Sequence, residues 1–346
     1  MTSPQARAFP TRRQGAHLIA LGMAAAVILT ACRSGSDERA AVGDAGKPKA
    51  SGAPAPTGVV TRQQAAEIVD HYEAVNNKAN KVRDKKLLAT VEAGQTYEQS
   101  QACYEQWKAW SAKDQKEFGK AFFYRDRQYL IPATGTATWF AVKATNSNST
   151  EQEVLMIFDK FGSTYKMVAS LYEGETPLPE VATDSQGLAT PVDPAKPVGA
   201  LAPDQLAFAY EDLLETGGAR EGKGLASTPS TEKALHDHNQ RLTGNLAPYS
   251  ILKFYGMEPV HKDVYALRLA NGGALAVFPS AYAHVRMLKP QYMSSFHINP
   301  TEAEAVYDPA GRDSITNEDQ GQGLAELTPT GKPKVIVVQF TMVDSR

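Results

Sequence analysis

Few groupings of residues in this chain have the type and spacing that chemistry needs. Residues 217–223, Gly-Gly-Ala-Arg-Glu-Gly-Lys, match the G-x-x-x-x-G-K part of a loop whose amides and lysine cradle phosphate. Gly224 stands where Ser or Thr must hold magnesium, and a helix, not a strand, is predicted ahead of it, so a flexible loop is the reading. Ser-x-x-Lys, which sets a serine nucleophile beside a lysine base, occurs from Ser163 to Lys166, Ser230 to Lys233 and Ser250 to Lys253. None is followed by Lys-Thr-Gly and the first falls in a predicted hairpin, so the repetition reflects chance. His236 and His238 are two apart on a predicted helix and point in different directions, whereas metal ligands on one face need i, i+4. His238 shares a stripe with Leu235 and Leu242 and reads as a core-edge residue. Asp308, Asp313, Asn317 and Asp319 lack the spacing of a calcium loop and read as a solvated loop. Trp107, Trp110 and Trp139 sit at helical and strand positions and read as core. Cys103, at helical spacing with Ser100, Trp107 and Trp110, reads as a buried thiol acting as a small apolar residue. No catalytic set, metal site or cofactor is expected; enzyme activity stays open, with the balance toward a non-enzymatic protein.

Cys32 is different, because its surroundings commit it to a reaction. Arg7, Arg12 and Arg13 form a positive segment without acids, residues 18–29 are apolar, and small residues Thr30 and Ala31 precede the cysteine. Twelve apolar residues rise only ~18 Å as a helix, against a hydrocarbon core of ~30 Å. A spanning anchor is therefore not expected. Leu29-Thr30-Ala31-Cys32 resembles the lipobox of bacterial lipoproteins. The resemblance implies a diacylglyceryl group on the Cys32 thiol, removal of residues 1–31, and anchorage to the extracytoplasmic face of the cell membrane. Two acyl chains hold a protein on a bilayer where one does not. Thr11-Arg12-Arg13 also looks like the start of a twin-arginine signal, but Gly15 and Ala16 stand where bulky apolar residues belong, so the export route stays open.

Cleavage leaves 315 of 346 residues, enough for two domains, and the loss of three arginines takes the formal charge from −2 to −5. Nothing in that balance points to nucleic acid. With Cys32 lipidated, Cys103 has no intramolecular partner, so the core must hold the fold. Residues 32–58 lack aromatic residues and read as a disordered tether. Order is expected in residues 59–174 and 200–346, around a proline-rich linker at 175–199. In the first part, a capping box of Thr61 and Gln64 opens a helix with the stripe Ala65, Ile68, Tyr72, Val75 and Ala79. Two more helical regions follow, through Leu87 and Leu88 and over 97–110, and then strands over 129–131, 138–142, 154–158 and 165–171. The second part repeats the order. Helices start at Pro203, with Phe208, Leu213 and Leu214, and at Pro229. Strands follow over 251–255, 264–270 and 274–278, the last two joined by a type I′ turn at Asn271-Gly272, with a final hairpin around 329–331. Helices followed by strands argue for α+β architecture with antiparallel sheets.

The two parts read as diverged copies of one unit, the second with an insertion at about 285–317. The helices-then-sheet unit resembles the NTF2-like (cystatin-like cone) fold, and the whole chain resembles uncharacterised actinobacterial lipoproteins that carry such units behind a lipobox. The resemblance brings no functional residues with it. Three functions compete. One is a non-enzymatic binding or scaffolding module that contacts an envelope protein or cell-wall glycan. Another is a cone that binds a small ligand or acts as an enzyme. The third is the solute-binding subunit of an importer, which would need alternating strands and helices around parallel sheets. Within the insertion, Tyr292, Phe296, His297 and Tyr307 are the candidates for a partner surface; the bland alternative is that they pin the insertion to its own sheet. Cys32→Ala is expected to abolish fatty-acid labelling and release the protein from the membrane fraction; a variant that still takes up label and stays with the membrane removes Cys32 as the anchor.

Overall fold

Thr61 caps the first helix reciprocally. Its hydroxyl accepts from the Gln64 amide at 3.1 Å, and Gln64 Oε1 accepts from the Thr61 amide at 2.8 Å. The computed structural model describes residues 57–172, 178–243 and 248–346, so Cys32, the expected signal and most of the expected tether lie outside the described residues. Helix α1 (Arg62–Val82) buries Ala65, Val69, Tyr72, Asn76 and Ala79, with Ile68 and Val75 at the margin. The stripe is turned from the expected one because Glu73 and Asn76 are drawn inward by hydrogen bonds, to the Tyr124 amide and to Glu92. Next come α2 (Lys85–Leu88), α3 (Gly94–Gln106) with a 3-10 turn to Ala109, and α4 (Ala112–Phe118). The sequence reading missed α4: it is one short, polar element without a period, started by Ser111 accepting from the Asp114 amide. Strands β1 (Tyr124–Leu130), β2 (Phe140–Asn146), β3 (Ser149–Phe161) and β4 (Thr164–Tyr172) then form an antiparallel meander in chain order.

The second half opens with a 3-10 turn at Pro203–Gln205 that leads into α5 (Leu206–Thr216), followed by α6 (Pro229–Thr243). Phe208, expected in the apolar stripe of α5, is 63% exposed; Leu206, Ala209, Tyr210, Leu213 and Leu214 form the buried face instead. The sheet comprises β5 (Ser250–Met257), β6 (Tyr265–Arg268), β7 (Ala274–Leu288), β8 (Ser314–Leu327) and β9 (Lys334–Ser345). It is antiparallel in the order β5-β7-β8-β9, with β6 also on β7. The β6–β7 hairpin is present but its turn is not type I′. The Gly272 amide donates to the Leu269 carbonyl, and the Leu269 amide to that of Gly273. Only Gly272 of the turn has positive φ, at 80°. This is a three-residue loop with glycine at the left-handed position, and Asn271 keeps negative φ while its Oδ1 accepts from the Gly273 amide. The expected insertion also narrows: Val285 pairs with Thr316 and Met287 with Ser314, so the strands continue and the loop proper is 289–313.

Alternation along the strands decides the layering. In the first sheet Phe140, Val142, Met156 and Phe158 face α1, while Ala141, Leu155, Ile157 and Leu171 face away from it. In the second, Ala274, Ala276, Phe278 and Ala325 face α5 and α6, and Leu275, Val277 and Leu324 face away. The two outward sets join in one core with Trp139, Tyr265 and Leu267. The order of layers is therefore helices, sheet, sheet, helices. The proline-rich connection belongs to the same core. Leu178, Ala189, Val192 and Val198 are buried. Its backbone bonds to Ala266 and Arg268 of β6, to Ala270 just after that strand, and to Ile131 of the first half. Among the described residues no helix is long and apolar enough to cross a membrane.

Because Ile157 lies in the core shared by both sheets, Ile157→Ala is expected to lower stability by about 2–5 kcal/mol. It should do so by shifting a single cooperative urea transition. Two separable transitions would contradict a shared core.

Candidate functional site

Strand β7 sends Tyr282, His284 and Arg286 to its helix side, and their partners across the strand pair are Asp319, Asn317 and Ile315 of β8. Loop 289–313 closes over this end of the sheet and contributes Glu304, which is buried. The polar groups converge. His284 Nδ1 lies 3.0 Å from Asp319 Oδ2, and Nε2 lies 3.0 Å from Asn317 Nδ2. Asn317 Nδ2 also donates to Glu304 Oε1 at 2.7 Å, and its Oδ1 accepts from Ser345 Oγ at 2.8 Å. Arg286 Nη2 reaches both Glu304 oxygens, at 3.2 and 3.0 Å, and the Thr301 amide donates to Oε2 at 2.7 Å. Burial acts to raise the Glu304 pKa, but the Arg286 charge and the hydrogen bonds from Thr301 and Asn317 outweigh it and hold the carboxyl below its ordinary value.

The amide nitrogen of Asn317 is a donor only, so His284 Nε2 accepts and its proton sits on Nδ1, donated to Asp319. A His–Asp pair of this kind orients a general base. Here the nitrogen that would act as base is occupied by Asn317, and the Ser345 hydroxyl bonds to Asn317, not to the imidazole. The arrangement fixes the loop to the sheet.

The four candidate residues of the loop fall in three places. Tyr292 and Phe296 pack with Tyr249, at ring separations of 5.4 and 6.4 Å. Tyr307 Oη donates to the Met342 carbonyl at 3.4 Å and accepts from Gln106 Nε2 at 3.1 Å, linking the loop to β9 and α3. His297 is exposed, with Nδ1 3.2 Å from Asp313 Oδ1. Asn317 and Asp319 correct the reading as a solvated loop: both are buried on β8, because the strand continues into the stretch assigned to the insertion. Asp308 and Asp313 do lie on the loop, paired with Arg312 and His297. The network was missed, although Tyr-x-His-x-Arg over 282–286 and Asn-x-Asp over 317–319 have the period of a strand face.

Residues 56–346 match the family model described as Domain of unknown function (DUF8094). The chain belongs to the DUF8094 family. Among curated proteins it resembles the Uncharacterized lipoprotein SCO6871 of Streptomyces coelicolor, with 28% identity over 268 residues, 75% of this chain and 74% of that protein. No solved structure matches.

Other polar groups of this DUF8094 chain are turned inward. The loop at 217–223 wraps a carboxylate of its own: Asp212 Oδ2 accepts from the Arg220 and Gly222 amides, both at 2.9 Å, where a phosphate would sit. His238 is buried with Nδ1 2.8 Å from the Leu214 carbonyl, and Ser230 Oγ donates to the Ile336 carbonyl. Burial and the Glu92 charge push the Cys103 thiol up to about 11, so it stays protonated and unreactive. Glu92 itself is 2% exposed and accepts from Tyr72 Oη and Asn76 Nδ2, both at 3.1 Å. Burial raises it to about 7 against opposing hydrogen bonds from Ser100, Tyr72 and Asn76. Glu211 of α5 is also raised to about 7 by burial, against bonds from the Ala281 amide and Ser280 Oγ.

Both acids bind their proton more tightly folded than unfolded. Each therefore contributes stability that is fully present below the unfolded value near 4.5 and is lost as pH rises toward about 7. The loss is on the order of 3 kcal/mol for each group. Glu92→Gln and Glu211→Gln are expected to leave the denaturation midpoint at pH 5 nearly unchanged and to raise it at pH 8. Equal pH profiles for the variants and the parent would refute the assignment.

Proposed function

We propose that the chain is a lipoprotein held through Cys32 on the extracytoplasmic face of the cell membrane, where it serves as a non-enzymatic binding or scaffolding module of the envelope. The lipobox and the lipoprotein name of the Streptomyces relative support the anchor. The observation that carries the non-enzymatic reading is the saturation of the His284 network, whose would-be base nitrogen is bonded to Asn317. Each helices-then-sheet half is read as an NTF2-like unit, the second a diverged copy of the first. The antiparallel pairing throughout both sheets argues against the importer reading.

The partner surface proposed is the rim of loop 289–313. The base of the loop is held by Glu304 and Tyr307; Met293 and His297 are exposed next to Tyr292 and Phe296 in sequence, and Val306 is exposed between Glu304 and Tyr307. An envelope protein or a cell-wall glycan is the occupant this reading allows. Replacing the whole loop would strand Arg286 without Glu304, so a test must spare the base. The triple variant Met293→Ser, His297→Ala, Val306→Ser is expected to change stability by under about 0.5 kcal/mol. In intact envelopes it should lose the cross-links made by the lipidated parent. Cross-links that persist rule out the rim, and a parent that cross-links to nothing rules out the binding module.

A further inference from the structure

Among the described residues, the outer edges of the two sheets are met by other parts of the chain or broken by a bulge, and the exception is β5. In the first sheet, β1 is bulged between Arg125 and Gln128, with Asp126 at φ 53°, and Ile131 just beyond it accepts from the Ala189 amide. The Met167 amide of β4 donates to the Val91 carbonyl, and the Ala93 amide to that of Met167. In the second sheet, Thr228 Oγ1, Ser230 Oγ and Gln106 Nε2 donate to the β9 carbonyls of Val335, Ile336 and Met342. Strand β6 lies on the same edge of β7 as β5, and the proline-rich connection covers it: the Val192 and Ala182 amides donate to the Ala266 and Arg268 carbonyls. An open edge strand is a template for pairing with another chain, and these devices prevent that.

The direction in which β5 turns its backbone follows from its neighbours. The Leu288 amide of β7 donates to the Asp313 carbonyl at the start of β8, and the Lys289 amide to the Tyr249 carbonyl ahead of β5. Odd-numbered residues of β7 therefore bond to β5, and the register sets Ile251, Lys253 and Tyr255 opposite Met287, Val285 and Ala283. Leu252, Phe254 and Gly256 turn their amides and carbonyls outward, as Ala266 and Arg268 do on β6, but among the described residues no group meets them. All eight residues of β5 pair with β7 without a shift, so this edge carries no bulge.

The side chains beside the edge define what pairs there. Ile251 and Tyr255 are 36% and 43% exposed, and Lys253 between them is exposed, with no acid paired to it among the described residues. Against an added antiparallel strand these three occupy the non-hydrogen-bonded positions, where facing side chains come closest. A second copy fits badly. Setting Ile251 against Tyr255 of that copy puts the two Lys253 side chains directly opposite, a destabilising pair of like charges. The complementary strand has an acid between two apolar residues at alternate positions. We infer that β5 takes up an extended segment of another protein as an added antiparallel strand, with Asp or Glu opposite Lys253 and apolar side chains opposite Ile251 and Tyr255.

Fluorescence anisotropy of the full chain in detergent, with labelled Thr-Val-Thr-Glu-Thr-Val-Thr as the probe, tests this. The peptide is expected to bind, and its analogue with lysine in place of glutamate to bind about tenfold more weakly. Lys253→Glu, a surface change, should invert that preference with the melting midpoint unchanged. N-methylation of the two threonines beside the glutamate, whose amides point at β5, should abolish binding, whereas N-methylation of the valines, whose amides point away, should leave it intact. Failure of the peptide to bind, equal effects of the two methylation patterns, a preference that Lys253→Glu leaves in place, or dimers of the chain that cross-link Lys253 to Lys253 would each overturn the assignment. None of these outcomes bears on the rim of loop 289–313, which is read by cross-linking in intact envelopes.

Discussion

Leu155, Ile157, Leu275 and Val277 lie on the sheet faces turned away from α1, α5 and α6, and their mutual burial is the contact on which the other features depend. A sheet with one apolar face can leave the other to water, but here both faces of both sheets are apolar. Helices α1, α5 and α6 take one face of each. The second faces meet each other, with α3 laid against the part of β8 that carries Gln320 and Gln322, which produces four layers. The connection between the halves is then constrained as well. It cannot swing free, because Leu178, Val192 and Val198 must be buried and its backbone groups must find partners, which they do along β6.

Where α3 crosses from its own sheet to the second one, the contacts are made by glutamines. Gln99 Nε2 donates to the Gln320 carbonyl, Gln106 Nε2 to the Met342 carbonyl, and Gln322 from β8 reaches back to Thr96 and β4. A neutral amide can satisfy backbone carbonyls at a buried contact without the desolvation that an ion would require. Charges are kept for places where several partners meet them. Glu304 has Arg286, Thr301 and Asn317, and Asp212 has two loop amides and Arg220. Glu92 and Glu211 lack a cation among the causes that set their pKa, and burial raises both.

Local signals were readable where a feature rests on neighbours in sequence. The Thr61 cap, the order of helices and strands, and the hairpin at Asn271-Gly272 all depend on residues within a few positions. Features set by tertiary partners were misread. Phe208 looked like core because it is apolar within a helix, yet its position on α5 faces outward. Asn317 and Asp319 looked like loop because they are polar, yet they are buried by Glu304 and His284, which are distant in the chain. Asn76 entered the core of the first half for the same reason, through Glu92. The turn at Gly272 shows the limit within a local signal: Asn-Gly indicated a hairpin, but loop length and the negative φ of Asn271 set its type. The four aromatic and histidine positions of the loop were visible as a group only in composition, since their distribution over three places depends on Tyr249, Met342 and Asp313.

The two faces of β7 meet different neighbours. Even-numbered residues His284 and Arg286 turn to the helix side and hold loop 289–313, while odd-numbered Val277 and Pro279 line a cleft toward the first half. Side chains alternate with a period of two, so a slip of one residue would carry the charged groups into the core between the sheets and the apolar ones under the loop. Fourteen consecutive residues of β7 pair with β8 without a bulge, and this long, unbroken register keeps the two faces distinct along the strand. The charge network and the sheet-to-sheet core therefore favour the same register. One slip would leave Glu304 without Arg286 and open the shared core at Val277, so the outlying loop and the centre of the fold reinforce each other through a single strand.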